Sequence, residues 1–163
     1  MANFVYNHFK HLVGSAGTGA NLTTADFRVL FVMTNTTAGP LGTDNSGTDA
    51  EDVLTVGGFD DLDEYDGSGH PAGGIALTYP VSQVASYTKN AANNRSELDA
   101  DDVLFSALAA GTRQAAAAFL YSFISDLASS IPVAWYDSGG FPFTGSGSDV
   151  TIQWNAGGVL QVT

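Results

Sequence analysis

Three histidines and one acidic stretch are the residues whose types and spacing could do chemistry in this chain. His8 and His11 stand three apart, a spacing at which two side chains share a helical face and could offer two imidazoles to a metal. No acidic third ligand lies close by in the sequence, so the plainer reading is a pair of surface or packing histidines. His70 is the remaining histidine, and any Ser-His-Asp triad would have to use it. It sits in Gly67-Ser68-Gly69-His70-Pro71, which reads as a flexible turn and a poor place for a positioned base. The Gly67-Ser68-Gly69 and Gly145-Ser146-Gly147 triplets lack the strand-to-helix context of a nucleophile elbow.

The acidic stretch holds Asp49, Glu51, Asp52, Asp60, Asp61, Asp63, Glu64 and Asp66. Its segment Asp61 to Gly67 invites a calcium reading, because oxygen-rich turns ending in Gly suit a hard cation. Counted from Asp61, however, Tyr65 takes the fifth place, Asp66 the sixth and Gly67 the seventh, and Glu is missing from the twelfth. The EF-hand pattern fails there, which leaves a solvated acidic turn or a divalent site of another kind. A glycosidase needs two carboxylates at a fixed separation, and no aromatic cleft pattern surrounds these. P-loop and dinucleotide fingerprints are absent as well. The expectation is a non-enzymatic chain with no catalytic residues, no cofactor and no metal site.

The totals point the same way. A chain of 163 residues is long enough for one domain with a real core. It has 19 Gly, and its five Lys and Arg face seventeen Asp and Glu, giving a net charge of −12. Nucleic acid is thereby disfavoured as a partner, since phosphates demand clustered Lys and Arg. An anionic membrane surface is disfavoured for the same reason. With no Cys there is neither a disulfide framework nor a thiolate site. No run of eighteen apolar residues occurs, and the first ten residues lack a basic leader and an apolar stretch, so use without export is expected.

The elements that would have to position these residues read mostly as strands. Residues 1–20 are expected as an N-terminal arm, with a short amphipathic helix over 3–13 ended by Gly14, and 21–163 as one β-sandwich domain. Phe27 to Met33 is strand length and apolar throughout except Arg28. Thr34 to Gly47 is expected as a long polar loop, either exposed and mobile or buried only against another subunit. Gly73 to Tyr79 and Val81 to Tyr87 read as strands split by Pro80, followed by a polar loop over Lys89 to Arg95 in which Arg95 would pair locally with a carboxylate. Val103 to Phe105 opens another apolar run. Thr112 to Ile124 is ambiguous: Ala115 to Ala118 favours helix, yet both faces are apolar, and a buried central strand is the better fit among short strands.

The final stretch carries the clearest pattern. Ile131, Val133 and Trp135 alternate with Pro132, Ala134 and Tyr136, and Val150, Ile152 and Trp154 alternate with Thr151, Gln153 and Asn155. Val159 to Thr163 closes the chain in strand-like fashion and should tie the C-terminus into a sheet. About eight strands separated by Gly-rich turns predict an all-β antiparallel sandwich, jelly-roll-like, with a short N-terminal helix or arm. Both Trp are expected in the core, which argues against a carbohydrate-binding module.

Several blocks, Phe31 to Thr37, Leu62 to Gly69, Asn93 to Asp102, Gly139 to Thr144 and Ile152 to Asn155, together resemble a family of small virion structural proteins of tailed bacteriophages. The resemblance implies a non-enzymatic part of a phage particle. Small acidic β-rich proteins of that kind imply a capsid cement or decoration protein, often a homotrimer, with itself and the major capsid protein as partners on the outer surface of the head. A tail, neck or fibre component, able to touch a host receptor, is the alternative it implies. Loops 34–47 and 139–149 and the 1–13 arm would be the material for such contacts.

Overall fold

Phe27 to Met33 and Ala115 to Phe123 are apolar on both faces because both faces are covered. In the computed structural model, which describes residues 3–14, 25–39, 50–79, 87–92, 95–155 and 158–162, they form β2 (Asp26–Met33) and β7 (Ala115–Phe123), paired antiparallel through Leu30 and Phe119. Around them, the described residues add β1 (Phe4–Val5), β3 (Ile75–Ala76), β4 (Tyr87–Asn90), β5 (Arg95–Leu98), β6 (Val103–Leu108), β8 (Ile131–Tyr136), β9 (Ser148–Ile152) and β10 (Leu160–Val162). One helix, α1 (Asn7–Gly14), and two 3-10 turns, Ala50–Asp52 and Val56–Gly58, complete the set. The chain is all-β and every strand pairing is antiparallel.

The large sheet has the order β1-β8-β7-β2-β3, and two smaller ladders have the orders β10-β5-β4 and β6-β9. In these ladders Ser96 pairs with Val162 and Leu98 with Leu160, and Val103 pairs with Ile152 and Leu108 with Ser148. They pack on the large sheet across a core of Phe27, Val29, Phe31, Leu98, Phe105, Leu108 and Leu120. A second core on the outer face of the large sheet joins Leu30, Val32, Phe119 and Trp135 to Val53, Val56 and Phe59. These strand orders establish a sandwich and do not by themselves establish a jelly-roll winding.

Several expectations change in detail. Residues 3–14 are not a free arm: Phe4 and Val5 pair with Trp135 and Ala134, Tyr6 is fully buried, and Phe9 packs edge-to-face on Phe27. The start of the 34–47 loop is held, with the Thr36 and Thr37 hydroxyls donating to the Asp61 carbonyl and Ala38 fully buried. Residues 40–49 lie outside the described residues, as does most of the strand expected over 81–87. The expected polar loop over 89–95 is the connection of a hairpin, with Lys89 and Asn90 at the end of β4 and Arg95 at the start of β5, which pair from Tyr87 with Leu98 to Asn90 with Arg95. The Arg95 side chain, and so its expected ion pair, lies outside the described residues.

In β8, Leu120 pairs with Ala134 and Tyr121 with Pro132, which leaves Val133 bulged. A bulge inverts the alternation beyond it. Val133 therefore belongs to the inter-sheet core and Trp135 to the outer one.

Candidate functional site

His70 is the residue whose surroundings differ most from the sequence expectation. Its side chain is 1% exposed, and its ring stacks on Phe105 at 5.3 Å and meets Tyr65 edge-on at 6.0 Å. Nε2 accepts the backbone N–H of Phe31 at 3.0 Å. Nδ1 therefore carries the proton of the neutral ring, faces Glu64 Oε1 at 3.6 Å, and has no hydrogen-bond partner. Burial lowers the imidazole pKa to about 4, so the ring is neutral near pH 7.

The glycines around His70 place it there. Gly74 has φ +69, and a Cβ on it would stand 2.2 Å from the Val29 carbonyl; a Cβ on Gly67 would stand 2.3 Å from the Ala109 carbonyl. Glycine here allows close approach of backbones rather than looseness. The sequence offers no way to separate these two uses of a Gly-rich turn, which is why the buried histidine was missed.

The acidic turn resolves into separate clamps. Asp61 Oδ1 accepts the N–H of Asp63, and Asp63 pairs with Arg113, whose guanidinium also donates to the Thr34 carbonyl. Glu64 Oε1 accepts the Gly73 N–H at 2.6 Å, and burial pushes its carboxyl above the ordinary range. Both Asp66 oxygens take hydrogen bonds from Thr112, at 2.8 Å each, which hold that carboxyl low. Four neighbouring acids thus reach four different places, and among the described residues no three His, Asp or Glu gather as a metal site. His8 and His11 both lie on α1, and burial together with His11 lowers the His8 pKa.

Tyr65 is a further clamp that the sequence did not reveal. Its hydroxyl donates to the Ala109 carbonyl and accepts the N–H groups of Gly111 and Gly145. The 139–149 loop is fixed from the same side. Phe143 exchanges both backbone hydrogen bonds with Ala115, and Phe141 and Phe143 pack on Phe31.

Beyond Phe31, Phe141 and Phe143, a groove of about 950 Å³ runs between β1, the turn after β8 and residues 150–155 and 158–161. Aromatic side chains, among them Phe4, Phe31, Tyr136, Phe143 and Trp154, line it together with Val150, Ile152, Leu160 and small and amide side chains, and among the described residues no charged one contributes to its walls. Trp154 is half-buried, meets Tyr136 at 5.7 Å and donates from Nε1 to the Asp101 carbonyl. It is a wall of this groove, whereas Trp135, at 3% exposed, is core as expected.

Comparison with family models, curated proteins and solved structures finds no match for this chain. Among the described residues no helix is long and apolar enough to cross a membrane.

Proposed function

We propose that this chain is a non-enzymatic virion structural protein of a tailed bacteriophage, a cement protein that holds the outer surface of the head by bridging subunits of the major capsid protein as a homotrimer. The observation that carries the reading is the use made of its chemistry-capable side chains. His70, Asp63, Glu64, Asp66 and Tyr65 each bind backbone or a neighbouring side chain of another segment, so they act as fasteners within a rigid sandwich. The sequence resemblance supports the same class.

Surface properties fit that work. A net charge of −12 makes the packaged genome an unfavourable neighbour and the outside of a head a tolerable one. Leu54, Leu104 and Ile124 are large apolar side chains at 63%, 50% and 57% exposure, available for many weak contacts whose sum holds. Gold-labelled antibody on intact particles of the encoding phage tests the placement. Label over the head is the expected result; label confined to the tail would replace this reading with a tail, neck or fibre component, and no label would remove it from the virion.

A further inference from the structure

The groove beside Trp154 is lined by two kinds of surface at once. It reaches the inter-sheet core at Phe31 and Ala118, and its walls carry the rings of Phe4, Tyr136 and Trp154. Hydroxyl and amide residues complete the lining. Asn3 and Ser138, both exposed, hydrogen-bond to each other at 2.9 Å beside β1 and β8, and Thr151 and Gln153 lie in and just after β9. Two of the rings are held in place by their own polar atoms. Tyr136 donates its hydroxyl to the Val159 carbonyl, Trp154 donates Nε1 to the Asp101 carbonyl, and the rings meet at 63°. At the turn after β8 the rim is open, since a Cβ on Gly139 or Gly140 would meet nothing within 4 Å. The volume of about 950 Å³ falls towards the top of the range of small-molecule sites, about 300–1,000 Å³.

We infer that this groove binds a neutral oligosaccharide. Charge and polarity together select this ligand class. The chain carries −12 overall, yet none of the described residues lining the groove is charged. A charged ligand would therefore lose water without gaining a counter-ion, and an anion would also be repelled by the chain as a whole. A purely hydrocarbon ligand would cover amides and hydroxyls of the lining without replacing their hydrogen bonds to water. A sugar ring answers both surfaces, because its C–H face is apolar and its rim of hydroxyls both donates and accepts. Trp154 is the platform for that apolar face: partly exposed, and fixed by its own N–H bond. Asn3 and Ser138 supply hydrogen bonds that orient the hydroxyls, and the volume admits more than one ring. Alternation with Val150 and Ile152 hides this site in the sequence, since it assigns Trp154 to the core, whereas the structure puts it on a groove wall. The inference rests on the groove alone and stands whether or not the chain belongs to a virion.

The test titrates the full chain with maltotetraose, cellotetraose, laminaritetraose and N-acetylated chitotetraose, followed by isothermal calorimetry and tryptophan fluorescence. At least one of these sugars should bind saturably by millimolar concentration and change the emission of Trp154; Trp135, only 3% exposed, should not respond. In Trp154→Phe the emission change should vanish, and in Trp154→Ala the affinity should fall at least tenfold. Asn3→Ala, at an exposed position, should weaken binding at least threefold while keeping the parent melting temperature. Tetragalacturonate, an acidic sugar of the same length, should bind at least tenfold more weakly than the tightest neutral one. The inference is overturned by absence of saturable binding of all four neutral sugars, by equal binding of tetragalacturonate, or by unchanged affinity in both Trp154→Ala and Asn3→Ala. Saturable binding of decanol or of an uncharged heptapeptide, with no sugar bound, would assign the groove to another ligand class and overturn it equally.

Discussion

Nε2 of His70 accepts the backbone N–H of Phe31 at 3.0 Å, at a point on β2 where a neighbouring strand would ordinarily supply a carbonyl. β3 covers Arg28 and Val29 only, and the chain at 63–65 takes over at Met33 and at the Phe31 carbonyl. The imidazole bridges the interval. A side chain thus completes a sheet edge, and it can do so only while its acceptor nitrogen is unprotonated.

Acid should therefore weaken the fold through this residue. The folded pKa is about 4, below the ordinary histidine value of 6.5. Above pH 6.5 both folded and unfolded forms are neutral and the contribution is fully present. As pH falls below 6.5 the unfolded chain takes up a proton that the folded one refuses, so stability is lost progressively towards pH 4, on the order of 3 kcal/mol in all. Glu64, raised by burial, acts in the opposite sense: its share is present below the ordinary Glu range and lost as pH rises through its folded value. Urea unfolding of the parent and of His70→Asn at pH 7 and pH 4.5 checks this. The variant should lose clearly less stability than the parent between the two; equal losses would refute the assignment.

Tyr65→Phe should be costly although it removes one oxygen. That hydroxyl accepts two backbone N–H groups and donates to a carbonyl, and the orphaned donors keep their desolvation penalty. The expected loss is about 2–3 kcal/mol by urea unfolding. A loss below about 0.5 kcal/mol would mean that water reaches these amides.

The two tryptophans should separate. Trp135→Ala empties a core position and should destabilise by about 3–5 kcal/mol. Trp154→Ala removes a half-buried groove wall and should fall near 1–2 kcal/mol, at the low end for apolar burial. Thr151→Ala, at an exposed position, should stay within about 0.5 kcal/mol. Thermal denaturation ranks all three, and equal melting temperatures for the tryptophan variants would contradict the placement of Trp154.

Gly74→Ala tests the close approach beside His70. With φ +69 and its Cβ direction 2.2 Å from the Val29 carbonyl, the variant must move β2 or the turn, at a loss of roughly 2–4 kcal/mol in urea. A melting temperature within a degree of the parent would show that the turn has room.

What the sequence disclosed follows from where its periodicities hold. The all-apolar runs of β2 and β7 and the alternation of β9 survive in the structure because each is a regular strand in one environment. The bulge at Val133 leaves no trace in residue types, so the two faces of β8 were exchanged beyond it. Phe4 to Phe9 reads as a local amphipathic segment, but its partners, Trp135 and Phe27, are distant in sequence. The acidic turn was visible as charge alone. Its four carboxylates differ by which strand each one reaches, and only tertiary packing sets that.

Thermal release of DNA from purified heads tests the central claim most directly. Heads stripped of this protein should keep their shape in mild buffer but release DNA at a lower temperature than complete heads, and adding back the purified chain should restore the original value. Stripped heads as heat-resistant as complete ones, with the protein fractionating among tails, would contradict the cement role.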